Sequence, residues 1–134
     1  AVKNMFGCIP GIRKSEYHSV LQTSDLFSKM LVDLNRVLKP RLNILDGVMA
    51  MEGNGPRNGT PKEMNVLLFS EDPIAMDTAA CQLINLDPGL VETNVYGQEF
   101  GLGQMDNIQF DGDPIEDFIK PDFKVNRNRK KNLL

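Results

Sequence analysis

The chain has 134 residues, 41% of them hydrophobic and 25% charged, with a net charge of −3 and a sequence pI near 5.1. That length suits one domain able to bury most of its apolar surface. The acidic balance gives no general reason to bind nucleic acid, and no apolar run approaches the roughly 20 residues a membrane helix needs, so no nucleic-acid or membrane partner is expected.

The opening "AVKNMFG" has no initiator Met, no basic-then-apolar signal region and no polar lead-in, and reads as the start of a piece cut from a longer protein. Two cysteines, Cys8 and Cys81, stand far apart with no CxxC pair. They are too few for a disulfide scaffold or a four-cysteine cluster, and a reduced pair suits a cytoplasmic location.

"GCIPG" is a turn, and "RKSEYHSVLQ" after it is expected to form a short helix capped by Ser15. In "DLFSKMLVDLNRVLKP" the residues Leu26, Phe27, Met30, Leu31, Leu34, Val37 and Leu38 form one apolar stripe, which predicts an amphipathic helix. Ser24 is its expected cap and Pro40 its stop.

"RLNILDGVMAM" predicts a strand from about Leu42 to Ala50, with Leu42, Ile44, Asp46 and Val48 on one face and Leu45 and Met49 on the other. A strand apolar on both faces is expected to be buried on both. The loop "MEGNGPRNGTP" follows, then "MNVLLFS" as a second strand. "EDPIAMDTAACQLINL" predicts a buried helix with Asp72 as N-cap and Pro73 as its first residue. Beyond it, a helix is expected from Val91 to Phe100, and "NIQFDGD" reads as a short strand and turn. The order of elements points to an α/β layered domain with a mixed, largely buried sheet flanked by helices. It spans residues 1–125, with a basic exit or linker over 126–134.

The glycine-rich loop superficially matches a nucleotide fingerprint but leads into a strand rather than a helix, and no Gly-Lys-Ser/Thr follows. Two readings remain: an anion-binding nest of N–H groups, or a long ordered turn. Asp77 adds to the question, because its helical neighbours Ile74, Ala80, Cys81 and Ile84 are apolar or small. A carboxylate on a buried face must be paired, hydrogen-bonded or bound to a cation. If Asp46, Glu52, Asp72 and Asp77 converge at one sheet edge, their hard oxygens suit a divalent cation, with Glu52, Gly53, Asn54, Gly55 and Asp77 as the ligand-binding set. In the plainer alternative, Asp72 caps its helix while Asp77 and Asp46 accept backbone N–H bonds. His18 is the single histidine, so a zinc site or a triad has little to draw on.

Two stretches, "VKNMFGCIPG" with "KSEYH" and "ILDGVMAMEGNGPRNGTPKEMNVLLFSEDPIAMDTAACQLINLDP", resemble the domain of unknown function family 362 over most of residues 2–90. Longer members of that family resemble iron–sulfur proteins in which a ferredoxin-like module follows this domain, and "DFKVNRNRKK" is similar to the region preceding it. The resemblance implies a parent protein in redox metabolism, with 4Fe–4S clusters only in a part outside this chain. Its implied partner is the ferredoxin-like module or a redox partner protein. It names no catalytic residue. The leading expectation is thus a non-cluster domain of an iron–sulfur electron-transfer protein of unknown substrate. The alternatives are a domain binding a divalent cation or polar ligand, and a structural or interaction domain.

Overall fold

A computed structural model describes residues 1–127. A 3-10 turn over Val2–Cys8 leads into helices α1 (Gly11–Val20) and α2 (Ser24–Leu38), then strands β1 (Asn43–Asn54) and β2 (Asn58–Ser70). Helices α3 (Pro73–Leu83) and α4 (Glu92–Glu99) follow, and a 3-10 turn over Ile115–Phe118 precedes the final extended segment. The class is α/β. No helix among the described residues is long and apolar enough to cross a membrane.

Within that class the sheet differs in detail from the expected mixed, buried one. The two strands form an antiparallel hairpin, with Ile44 opposite Phe69 and Asn54 opposite Asn58. Only its inner face is covered: Met64 and Val66 are buried there, while Ile44 and Phe69 on the other face are 62% and 63% exposed. A bulge between Gly47 and Met49 breaks the alternation, so Val48 and Met49 are both exposed. The expected loop over residues 51–61 is also mostly strand. Its glycines and asparagines extend the hairpin until the chain turns over Gly55, Pro56 and Arg57, with a cis bond between Gly55 and Pro56.

Helix α3 is the central element. Its N-terminal Ile74 belongs to a cluster with Val2, Phe27, Leu31 and Val32, whereas Ala79 and Leu83 pack with Met64, Val66, Ile115 and Phe123. One helix thus joins the α2 layer to the inner face of the hairpin. The buried arc of α2 is rotated from the expected stripe: Phe27, Ser28, Leu31, Val32 and Asn35 face inward, and Val37 is 78% exposed. Asn35 earns an inward place because its Nδ2 donates to Val2 O at 3.0 Å and Leu31 O at 2.8 Å.

Several expected caps also move. Thr23, not Ser24, caps α2 by accepting from the Leu26 N–H, and Ser24 instead donates to Glu92. Ser15 lies inside α1, where its hydroxyl donates to Ile12 O. "NIQFDGD" forms no strand. Gly97 in α4 lies against α3 so closely that an added methyl would overlap Ile74 Cδ1 and stand 2.7 Å from its Cγ1. That close approach explains a glycine inside a helix.

Candidate functional site

Each of the four acids singled out from the sequence is engaged, and each by a different part of the chain. Asp72 caps α3 as expected: its Oδ1 accepts from the Ile74 N–H at 2.7 Å and the Ala75 N–H at 3.0 Å. Its Oδ2 accepts from the Gln104 N–H at 2.9 Å, which ties the 101–107 segment to the start of the helix. Gly103 is needed there, because a Cβ would overlap the same carboxylate.

Asp77 is 20% exposed rather than enclosed on an apolar face, and it holds the first residues of the chain. Its Oδ2 accepts from the Val2 N–H at 2.9 Å, and its Oδ1 pairs with the Ala1 nitrogen. Asp46 is exposed on the outer face of β1, where it accepts from the Val48 N–H across the bulge.

Glu52 is the buried acid, 6% exposed. Its Oε2 accepts from the Lys124 N–H at 3.0 Å, and its Oε1 lies 3.5 Å from Lys124 Nζ. Gly53, at φ 78°, donates its N–H to Lys124 O at 2.8 Å. Asn54 and Gly55 continue into the hairpin turn, with the Gly55 N–H donating to Gly53 O. The acids therefore do not converge, and among the described residues no group of three or more His, Cys, Asp or Glu side chains is placed to hold a metal ion.

What the hairpin does build is an anchorage for the final segment. Phe123 is buried beside Met64 and Leu83, and the Lys120 N–H donates to Leu83 O at 2.7 Å. Asp122 pairs with Lys62 of β2 at 2.5 Å. This pairing holds the Asp122 carboxyl below, and the Lys62 ammonium above, their ordinary values. The Arg127 guanidinium then donates to four carbonyls: Asn85 O at 3.1 Å, Ile84 O at 3.2 Å, Pro121 O at 3.3 Å and Phe123 O at 3.0 Å. Two of these lie just past the end of α3, where unpaired carbonyls attract a cation. Arg127 belongs to the expected basic linker, yet it is fastened to the core; residues 128–134 of that linker lie outside the described residues. Sequence reasoning missed both Lys124 and Arg127, since partners some 40 to 70 positions away leave no local signal.

Two further features bear on chemistry. A cleft of about 430 Å³ lies between the end of β2, α3 and the 104–111 segment, bordered by Phe69, Asp72, Met76, Gln104, Asp106 and Phe110. Burial, with the nearby Asp77 charge, pushes the Cys81 thiol up to about 11, so it is a neutral thiol in the core, while Cys8 is exposed.

Residues 1–82, more than half of the chain, match the family described as "domain of unknown function (DUF362)". The thylakoid-associated protein sll1697 of Synechocystis sp. is 40% identical over 102 residues, covering 75% of this chain and 32% of the relative. The chain thus spans about a third of the length of that curated relative. No solved structure matches it. By the extent of the family match, with the matched segment running from the first 3-10 turn through α3, the chain belongs to the DUF362 family.

Proposed function

We propose that this chain is the non-cluster domain of a longer iron–sulfur redox protein, and that its task is to hold an electron-transfer module in place. The observation that carries this reading is the anchored exit. Glu52, Gly53, Lys62 and the end of α3 all fasten the segment around Phe123, Lys124 and Arg127. Whatever follows Arg127 in a parent protein starts from a segment fastened to the hairpin through Asp122 and Lys124 and to the end of α3 through Arg127. The family resemblance implies a ferredoxin-like module after this domain, and the curated relative, of which the match covers 32%, is long enough to hold further modules. We place the protein in the cytoplasm. The name of the relative makes attachment to a membrane surface the alternative to test.

The test is to fuse a 4Fe–4S ferredoxin-like module after Leu134 and record amide spectra. Paramagnetic broadening is expected to concentrate on the exit and the hairpin tip, and to spread when Glu52→Ala loosens the anchorage. Broadening distributed evenly over the surface of the unaltered fusion would refute the reading.

A second reading, a site for a polar small ligand or a divalent cation, rests on the cleft rather than on the four acids. Asp106 and Asp111 stand among its polar lining, with Met76 and Phe110 as apolar walls. Melting of chelator-treated protein with Mg²⁺, Mn²⁺, Ca²⁺ or Fe²⁺ tests it, since a ligand at about one hundred times its Kd adds about 2.7 kcal/mol.

A further inference from the structure

The outer face of the hairpin exposes Ile44, Val48, Met49, Met51, Leu67 and Phe69, with fractions from 49% for Val48 to 63% for Phe69. Taking roughly 200 Å² for a fully exposed large apolar side chain, these six present on the order of 600–700 Å². The largest apolar patch on an ordinary monomer is about 300–600 Å², and larger ones mark interaction sites. We infer that this face is the interface of a homodimer, in which a second copy of the chain packs sheet on sheet across a two-fold axis. The interface goes beyond the positioning role, because the exit packs against the opposite, inner face.

Three observations favour a second copy. The area is right: doubling the patch gives about 1,300 Å², inside the roughly 1,200–2,000 Å² of stable protein interfaces. Most of the patch is apolar: Asp46, the carboxylate within it, accepts from the Val48 N–H at 3.1 Å, and Glu63 stands opposite Met49. The side chains also suit self-packing, because a two-fold that reverses strand direction sets Ile44 of one copy over Met49 and Met51 of the other. Flexible methionines fill such irregular contacts. The charged side chains at outward strand positions, Asp46 and Glu63, are both acidic and would oppose an anionic lipid surface.

Sedimentation velocity on the whole chain tests the dimer. The expected result is a species of twice 15.0 kDa that dissociates on dilution. Phe69→Glu and Ile44→Glu should each give a monomer with an unchanged circular dichroism spectrum. Ile12→Glu, at a still more exposed apolar residue on α1, should leave the dimer intact and control for added charge. A monomer at every concentration would overturn the inference, and so would a dimer that survives Phe69→Glu and Ile44→Glu combined. A monomer that binds phosphatidylglycerol vesicles would assign the face to a membrane and overturn it as well. The broadening experiment on the fusion is read separately, so the dimer and the positioning role fail independently.

Discussion

Replacing Glu52 by alanine is the substitution that most directly strips the exit of its anchor. The carboxylate makes two contacts of unequal value. Its ion pair with Lys124 reaches an ammonium on a side chain that is 71% exposed, and solvent screens such a pair to less than about 1 kcal/mol. Its bond from the Lys124 N–H is charge-assisted, and the acceptor is buried. Losing that acceptor leaves a backbone donor unpaired, at a cost of about 1.5–3 kcal/mol. Glu52→Ala should therefore lower the urea-unfolding free energy by about that amount, a large share of the roughly 5–15 kcal/mol typical of a domain. Lys124→Met should cost under about 1 kcal/mol, because it leaves the N–H bond in place. Trypsin should cut first at Lys124 and Arg127 in Glu52→Ala, under conditions where the unaltered exit resists. Equal losses in the two variants would mean that the ion pair, not the backbone bond, holds the exit, and a neutral Glu52→Ala would refute the anchorage altogether.

Gly97→Ala forces a methyl into Ile74 across the α3–α4 contact and should destabilise by about 1–3 kcal/mol, read by urea unfolding; a neutral result would mean that the two helices separate freely. With a thiol reagent near pH 8, Cys8 should react at once and Cys81 only on unfolding, because burial keeps the Cys81 thiol protonated up to about 11; two equally fast thiols would contradict its placement in the core. Tyr96 of α4 donates to Asp25 of α2, and Lys29 bonds the same carboxylate at 3.0 Å. The Tyr96 hydroxyl, ahead of Lys29, holds the Asp25 carboxyl below its ordinary value, and Asp25 in turn holds the Tyr96 phenol above its own. A lowered acid lends stability above its unfolded value that is lost as pH falls through the folded one. A raised phenol lends stability below its unfolded value that is lost as pH climbs through the folded one. The difference in Tm between the parent and Tyr96→Phe should accordingly be greatest between about pH 4 and pH 10 and shrink outside that window; a pH-independent difference would contradict the pairing.

The sequence carried α3 almost completely, because its start is written locally: Asp72 as cap, Pro73 in the first turn, then a run of small and apolar residues. It also carried the existence of α2 and of both strands. It failed where the deciding partner is remote. The α2 stripe was legible as amphipathic, but which arc faces inward depends on Asn35 meeting Val2 and on Ile74 arriving from α3. The glycine-rich run was legible as special, yet its length as strand follows from cross-strand pairing, with Glu52 opposite Thr60 and Gly53 opposite Gly59. The sequence raised the question of a partner for Asp77 and took Glu52 only as a candidate ligand; both have partners in the structure. Those partners are Val2 and Lys124, 75 and 72 positions away, and no periodicity within a helix or strand encodes them. The outer face was misjudged for a related reason: Ile44, Leu67 and Phe69 have the composition of buried strand residues, and nothing among residues 1–127 covers them.

Native-state hydrogen exchange tests the anchored exit most directly, read at the amides of Gly53 and Lys124. Both donate in the bonds that join β1 to the final segment. If the exit is part of the core, these two amides open with a free energy close to that of Met76 and Ala79 in α3, and Glu52→Ala lowers their protection before it lowers that of the helix. Exchange at Gly53 and Lys124 as fast as in an unfolded chain, beside a protected α3, would contradict the account.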